Sequence, residues 1–313
     1  MRVLVTGANG MLATNLIEKL LSKGYFVRGL LRDGSRYKGV RSANLELIEG
    51  DFTSHHTAQL AVEGCDYIIH SAAVTSQSLL SYDQYKGVNV EATAQLLAIA
   101  IEKRVKRFVF VSTANTIGYG SPSRPSDETT PIMPPYIDSM YVRSKREAEA
   151  EVLAVKDRLD VVITNPTFMI GKYGNEEGSN RIFRMARRVT LCPKGGRNFI
   201  DVEEAAEGIV LAMLRGRCGE RYLICNENLS YRAFFERFHS VKFIIHTPFW
   251  LLRLMGQVGD LLRGFGVQTD VSRTNMEMLC QSLGYSGEKA RRELGFTPKI
   301  SPPCNDLYLG VPS

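Results

Sequence analysis

The stretch "VLVTGANGMLATNL", residues 3–16, decides the fold. A short apolar run ends at Thr6 and Gly7, and the helical pattern "MLATNLIEKLLSKG" follows at once and closes on Gly24. A buried strand, a tight turn and an amphipathic helix therefore stand in direct succession. Gly7 can adopt the backbone angles that such a turn needs. Gly10 lets the backbone approach a pyrophosphate, and the amides from Asn9 through Met11 and Leu12 open a helix whose N-terminus attracts anions. Ala13 fills the third small position and still allows close helix–strand packing. Placed after a strand and before a helix, this glycine pattern reads as a dinucleotide-binding turn.

Working outward, the same alternation continues. "YFVRGLLR", "LELIEGD", "CDYIIHSAA", "KRFVFVSTA" and "LDVVITNPT" read as strands. "HTAQLAVEG", "EATAQLLAIAIEKR" and "SMYVRSKREAEAEVLAVKD" read as helices between them. Strands alternating with helices predict an α/β fold, a doubly wound parallel sheet with helices on both faces. Past residue 166 the pattern loosens, although "NFIDVEEAAEGIVLAMLRG" reads as a strand end entering a helix and "ERYLICN" as a strand. The expected division is a Rossmann-type core over residues 1–165, to which 199–225 returns. Residues 166–198 and 226–313 then form a smaller, mostly helical lobe for the substrate.

The chain has 313 residues, 44% hydrophobic and 23% charged, which suits one large α/β domain with a lobe. No signal-peptide pattern leads it, and no run of about eighteen uncharged apolar residues predicts a membrane span. The nearest candidate, "PFWLLRLMGQVGDLLRGFG", is interrupted by Arg253, Asp260 and Arg263. It reads as an amphipathic helix with a broad apolar face, expected to pack on its own fold rather than to lie on a membrane. Six cysteines, at 65, 192, 218, 225, 280 and 304, form no CxxC pair and read as reduced thiols of a cytoplasmic protein. The five histidines lack ligand spacing, so no metal is expected. A net charge of +6 comes with basic clusters but no interleaved aromatics, which argues for a solvated basic surface and against nucleic acid.

Further stretches resemble the extended short-chain dehydrogenase/reductase superfamily: "GDF" at 50–52, "HSAA" at 70–73, "VNVEAT" around Asn89, "FVSTANTIG", "NPTFMIG" at 165–171, "NFIDVEEAA" and "SGEKARRELGF". The resemblance implies that Asp51 faces the adenine amino group and Phe52 its ring. It implies that Ser71, Ala72 and Ala73 lie beneath the cofactor and that Asn89, Pro166 and Thr167 belong to the same site. Thr75 and Phe168 would border the substrate. Many relatives dimerise through their fourth and fifth helices, and "LLAIAIEKR" offers apolar residues at helical spacing, so a homodimer is expected.

Two stretches carry a tyrosine four positions before a lysine, Tyr141 with Lys145 and Tyr82 with Lys86. Only the first follows the fifth strand and begins a helix. Thr113, with Ser112 as the alternative, stands where the family places a catalytic hydroxyl; side chains alternate along a strand, so only one of the two should face the site. A free phenol titrates near about 10. The Lys145 ammonium and a cationic nicotinamide would favour the phenolate, and Tyr141 could then exchange a proton with an alcohol or carbonyl oxygen. Lys145 would also hold the nicotinamide ribose.

"NPTFMIG" and "GGRNFIDVEEAA" resemble the dihydroflavonol-reductase-like and 3-beta-hydroxysteroid-dehydrogenase-like branch, whose members reduce carbonyls or oxidise secondary alcohols. The Asp-Glu pair of related sugar dehydratases is replaced by Ala114-Asn115. A nucleotide-sugar epimerase and a non-catalytic cofactor-binding regulator stay open as alternatives. The second strand ends in Arg32, which can grip a 2′-phosphate and points to NADP; Asp33 would mark NAD if the strand ended one residue later.

Overall fold

A computed structural model describes residues 1–174, 178–186, 188–238 and 240–302. Among these residues twelve strands follow in chain order: β1 (Arg2–Thr6), β2 (Phe26–Leu31), β3 (Leu45–Glu49), β4 (Tyr67–His70), β5 (Arg107–Val111), β6 (Val161–Pro166), β7 (Phe168–Ile170), β8 (Val189–Cys192), β9 (Gly196–Asp201), β10 (Arg221–Ile224), β11 (Glu227–Ser230) and β12 (Phe243–His246). Seven of them form one sheet in the order β10-β6-β5-β4-β1-β2-β3. Every pairing in it is parallel. The chain order reverses between β1 and β4. In such sheets ligands bind at that switch point, beyond the carboxyl ends of the strands.

Parallel strands are covered on both faces, so their side chains are mostly apolar. Val3, Leu4 and Val5 of β1 are wholly buried. Helices α1 (Met11–Ser22), α2 (His55–Val62), α4 (Ala92–Glu102), α5 (Met140–Ala154) and α7 (Val202–Arg215) supply the cover, while α3 (Tyr82–Lys86) and α6 (Arg181–Met185) pack in two further clusters. α1 and α7 share one core layer with β1, and α2, α4 and α5 share the other. In α4, Leu96, Leu97, Ile99 and Ala100 all lie inside the monomer's own core, which uses most of the apolar residues of "LLAIAIEKR". A π-helical segment, Gly87–Glu91, joins α3 to α4 and carries Asn89.

The lobe contains α8 (Tyr231–Phe235), α9 (Phe249–Gly264) and α10 (Arg273–Cys280), while α11 (Glu288–Leu294) returns to the core beside α7. It also contains more strand than the sequence shows. β11, β9 and β7 make a three-stranded sheet, and β12 pairs with β8.

The expected packing of α9 is overturned. Leu252 is buried, but most of its apolar side chains do not fold onto the molecule: Trp250, Leu254, Val258 and Leu261, with Phe265 just past its end, are exposed. The contact with the fold runs instead through Gly256 and Gly259, which lie on the backbone of Val271 to Arg273. No helix among the described residues is long and apolar enough to cross a membrane.

Candidate active site

At the turn after β1, Gly7 has φ +73, and a Cβ there would come within 3.1 Å of Ala72 Cα at the end of β4. Side chains with a Cβ rarely adopt that conformation, so glycine is required twice over. Gly10 is different. A Cβ on it would meet only the Gly7 carbonyl within 4 Å, so its outer side is open. Gly10 caps α1 without a side-chain hydrogen bond, and the first turn holds no acid. A helix start with bare amides and open space before it fits a pyrophosphate. Asn9 and Gly10 are exposed, Met11 half-buried and Leu12 buried.

Thr6 organises the strand ends behind this turn. Its hydroxyl accepts from the amides of Ser71 and Ala72, both at 3.1 Å. Ser71 Oγ donates to the Thr6 carbonyl at 2.7 Å. Thr6 Oγ1 also lies 2.8 Å from His70 Nδ1, and His70 Nε2 lies 3.0 Å from Thr93 Oγ1. Ala73 is half-buried and Thr75 exposed on the loop that follows. Asn89 reaches that loop from the π segment: its Oδ1 accepts from Val74 N at 2.8 Å, and its Nδ2 donates to Val74 O and to Ser144 Oγ. The Asn89 side chain thus ties the β4 loop to α5. Asp51 is exposed, with one oxygen accepting from Thr53 N at 2.9 Å. The Phe52 ring is built into the core, edge-on to His70 at 5.2 Å.

Across the sheet, Ser139 caps α5 by accepting from Val142 N. The cap puts Tyr141 in the first turn and Lys145 one turn later on the same face. Ser112 and Thr113 separate as alternation demands. Ser112 Oγ donates inward to Glu149 Oε1 at 2.5 Å. Thr113 is half-buried and lies close enough to the Tyr141 phenol to lower its pKa. Burial raises the Tyr141 phenol well above its ordinary range, more than Thr113 lowers it. The expected lowering by Lys145 is not found: burial dominates, and the charges of Tyr85 and Glu149 add to the rise. Lys145 Nζ donates to the Val111 carbonyl at 2.8 Å and lies 4.0 Å from the Phe110 ring centroid. Burial brings this amine down to about 7, against a raising influence of Glu149. An ammonium has three donors. The remaining two suit ribose hydroxyls.

Tyr82 and Lys86 lie apart from this cluster. The Tyr82 hydroxyl bonds to Glu147, with the Arg143 guanidinium 4.0 Å over its ring. Lys86 pairs with Glu91.

At the far side, Pro166 ends β6, and Thr167 Oγ1 donates to Asn198 Oδ1 at 2.7 Å. Phe168 stands edge-on to Phe199, with Arg197 Cζ 5.3 Å from its ring. Arg197 Nε donates to the Tyr231 hydroxyl at 2.6 Å. Arg32 is exposed just past the end of β2.

Three residues here escaped the sequence reading. His70 and Arg197 sit inside motifs quoted above for other members. Glu149 lies on the Tyr141–Lys145 face of α5, four residues beyond Lys145, and that spacing is its only signal. Among the described residues no group of acids, histidines and cysteines could hold a metal, and five cysteines are unpaired; Cys304 falls outside those residues.

Comparison with known proteins agrees with this fold. The chain matches the model of the NAD dependent epimerase/dehydratase family over residues 3–225. It is 29% identical over 304 residues to a protein of Synechocystis sp. that bears the name of a dihydroflavonol 4-reductase, covering 93% of this chain and 88% of that one. It is 28% identical to the 4-hydroxy-2-methyl-3-oxo-4-farnesyl-3,4-dihydroquinoline-1-oxide ketoreductase of Stigmatella aurantiaca, covering 96% and 93%. A dTDP-glucose 4,6-dehydratase from Streptomyces venezuelae, solved with NAD bound, shares the fold with a TM-score of 0.72 at 23% identity, covering 96% of this chain and 93% of that one. The chain is an enzyme of oxidoreductase type and belongs to the NAD dependent epimerase/dehydratase family.

Proposed function

We propose that the protein is an NADP-dependent carbonyl reductase, able to run in reverse on a secondary alcohol, with a small and partly apolar substrate. The observation that carries this reading is the meeting of Thr113 and Tyr141 one helical turn from Lys145. Thr113 holds the substrate oxygen and turns the carbonyl toward the cofactor. Tyr141 stands protonated, since burial raises its phenol. A protonated phenol is placed to deliver a proton to the oxygen as it gains charge. Lys145 offers its free N–H donors to the ribose, and Gly10 with the start of α1 takes the pyrophosphate. Hydride transfer is the chemistry the nicotinamide supplies. Thr75 and Phe168 border the substrate, with the Arg197 guanidinium beside the Phe168 ring. Cofactor choice rests on Arg32, and a homodimer through α4 and α5 belongs to the same proposal.

Consumption of NADPH with a panel of aromatic and aliphatic ketones tests the reading. Turnover supports a reductase. An inert protein that still binds the cofactor would replace it with a sensor, and interconversion of a nucleotide sugar without net NADPH loss would replace it with an epimerase.

A further inference from the structure

Helix α9 presents its apolar side to solvent. Leu252, Gly256 and Gly259 are buried and form one stripe at helical spacing. A Cβ on Gly259 would fall 2.1 Å from the Val271 carbonyl oxygen, and one on Gly256 would fall 2.8 Å from Arg273 Cα. The helix therefore lies directly on that backbone by its glycines. Turned the other way are Trp250, Leu254, Val258, Leu261 and Phe265, exposed by 66, 48, 50, 62 and 78%. At 100° per residue these five fall within a narrow arc opposite the glycine stripe.

The parallel pair of β8 and β12 repeats the pattern. In β8, Thr190 and Cys192 are buried while Val189 and Leu191 are more than half exposed. Phe243 and Ile245 of β12 lie across from Val189 and Leu191 in register, and both are exposed too. β12 is joined to α9 by Thr247 and Pro248 alone. An exposed apolar surface of this extent on a folded chain marks a contact.

The charges beside it identify the partner. Arg188 and Lys242 stand together where β8 and β12 begin, with Lys242 N donating to Arg188 O at 3.1 Å. Arg253 flanks the apolar stripe of α9. All three are exposed and have no acidic partner among the described residues. The nearby acids are engaged: Asp260 accepts from Arg273 N, and Asp270 pairs with Arg181. Apolar side chains with free cations at their margin match an anionic lipid surface, with aromatic rings at both ends of an in-plane helix. We propose that α9 and the β8–β12 pair form a docking face for anionic membrane. Arg263 ties the face to the β4 loop, donating to the carbonyls of Gln77 at 3.2 Å and Leu79 at 2.6 Å. The proposal is independent of the catalytic reading.

Trp250 is the single tryptophan of the chain, so its fluorescence reports this helix alone. Vesicles of phosphatidylcholine mixed with phosphatidylglycerol should shift its emission to shorter wavelength. Brominated acyl chains should quench it, and added salt should weaken the binding. The double variant Leu254→Glu, Leu261→Glu changes only exposed positions and should keep the thermal midpoint. Its partitioning should fall by about a hundredfold, roughly tenfold for each leucine. Unshifted emission and no co-sedimentation with the mixed vesicles would overturn the proposal. So would a shift that grows with protein concentration in the absence of lipid, which would make the face a contact with a second copy. Equal, salt-insensitive binding to pure phosphatidylcholine would remove the role of the cations.

Discussion

Ser112 and Glu149 are joined beneath the candidate active site, with Ser112 Oγ donating to Glu149 Oε1 at 2.5 Å. The same oxygen accepts from Thr116 Oγ1 at 2.8 Å and Asn165 Nδ2 at 2.9 Å, and Oε2 lies 3.2 Å from an Arg221 nitrogen. One buried carboxylate thus gathers the ends of β5 and β6 around the segment that carries Thr113. Its charge also raises the Lys145 amine against burial.

Glu149→Gln keeps the shape and removes that charge. Lys145 should then lose its proton at lower pH, so the alkaline limb of the pH–rate profile should move down. Turnover should fall by about tenfold, in line with a lost buried charge-assisted hydrogen bond. Glu149 is a positioning residue on this account, and a purely structural role would leave the pH profile in place. A folded variant with unchanged turnover and unchanged profile would refute it.

The two tyrosine–lysine pairs separate cleanly. Tyr141→Phe removes only the phenolic oxygen, so cofactor binding should persist while turnover drops by roughly a hundredfold to ten-thousandfold. Tyr82→Phe gives up a bond to Glu147 on the helix surface and should be silent in turnover. Near-normal turnover in Tyr141→Phe, or a comparable loss in Tyr82→Phe, contradicts the assignment.

His70 makes a prediction about stability. Thr93 Oγ1 donates to the Asn89 carbonyl, so it must accept from His70 Nε2. Thr6 Oγ1 accepts two amides, so it must donate to Nδ1. The ring is therefore the neutral Nε2–H tautomer, and burial lowers its pKa from 6.5 to about 3. Between those values the unfolded chain binds a proton that the native chain refuses. Native stability should thus fall as pH drops through this window, by up to about 1.4 kcal/mol per pH unit from this residue. Urea unfolding at pH about 6.5 and about 4.5 should show a steeper acid loss in the wild type than in His70→Asn. Parallel slopes would mean the ring is not held neutral.

The sheet half of the molecule was legible because strands buried on both faces read as unbroken apolar runs between turn residues. The lobe strands were not. β7 is three residues long, and β11 reads "ENLS", which has no apolar face. Their partners lie far off in sequence, so pairing rather than propensity makes them strands. Glu149 was hidden among Glu147 and Glu151, which look identical in composition; only the phase against Tyr141 buries the middle one. For α9 the periodicity gave the helix and its apolar face but not the direction of that face. Gly256 and Gly259 decide it, since they permit a backbone contact that no larger residue would allow.

Cofactor choice turns on two neighbours at the end of β2. The strand stops at Leu31, which makes Arg32 the first residue beyond it. Asp33, the competitor for a ribose hydroxyl, is held in the turn that follows. Its Oδ1 accepts from Ser35 N at 3.0 Å and Ser35 Oγ at 2.6 Å, and Oδ2 pairs with Arg36 Nε at 3.0 Å. Those Ser35 bonds keep its carboxyl below the ordinary range. A carboxylate so occupied is poorly placed to select NAD. Arg32 is exposed and has no partner among the described residues, and Lys38 is exposed nearby. A guanidinium can meet a 2′-phosphate with two parallel bonds. The wild type should therefore bind NADPH more tightly than NADH, and salt should narrow the gap because the contact is at the surface. Arg32→Ala should weaken NADPH by about tenfold or more and leave NADH nearly unchanged. Titration of both cofactors against both proteins checks this. Equal affinities in the wild type would reject NADP, and an equal loss for both cofactors in the variant would show that Arg32 supports the fold of the turn rather than reading the phosphate.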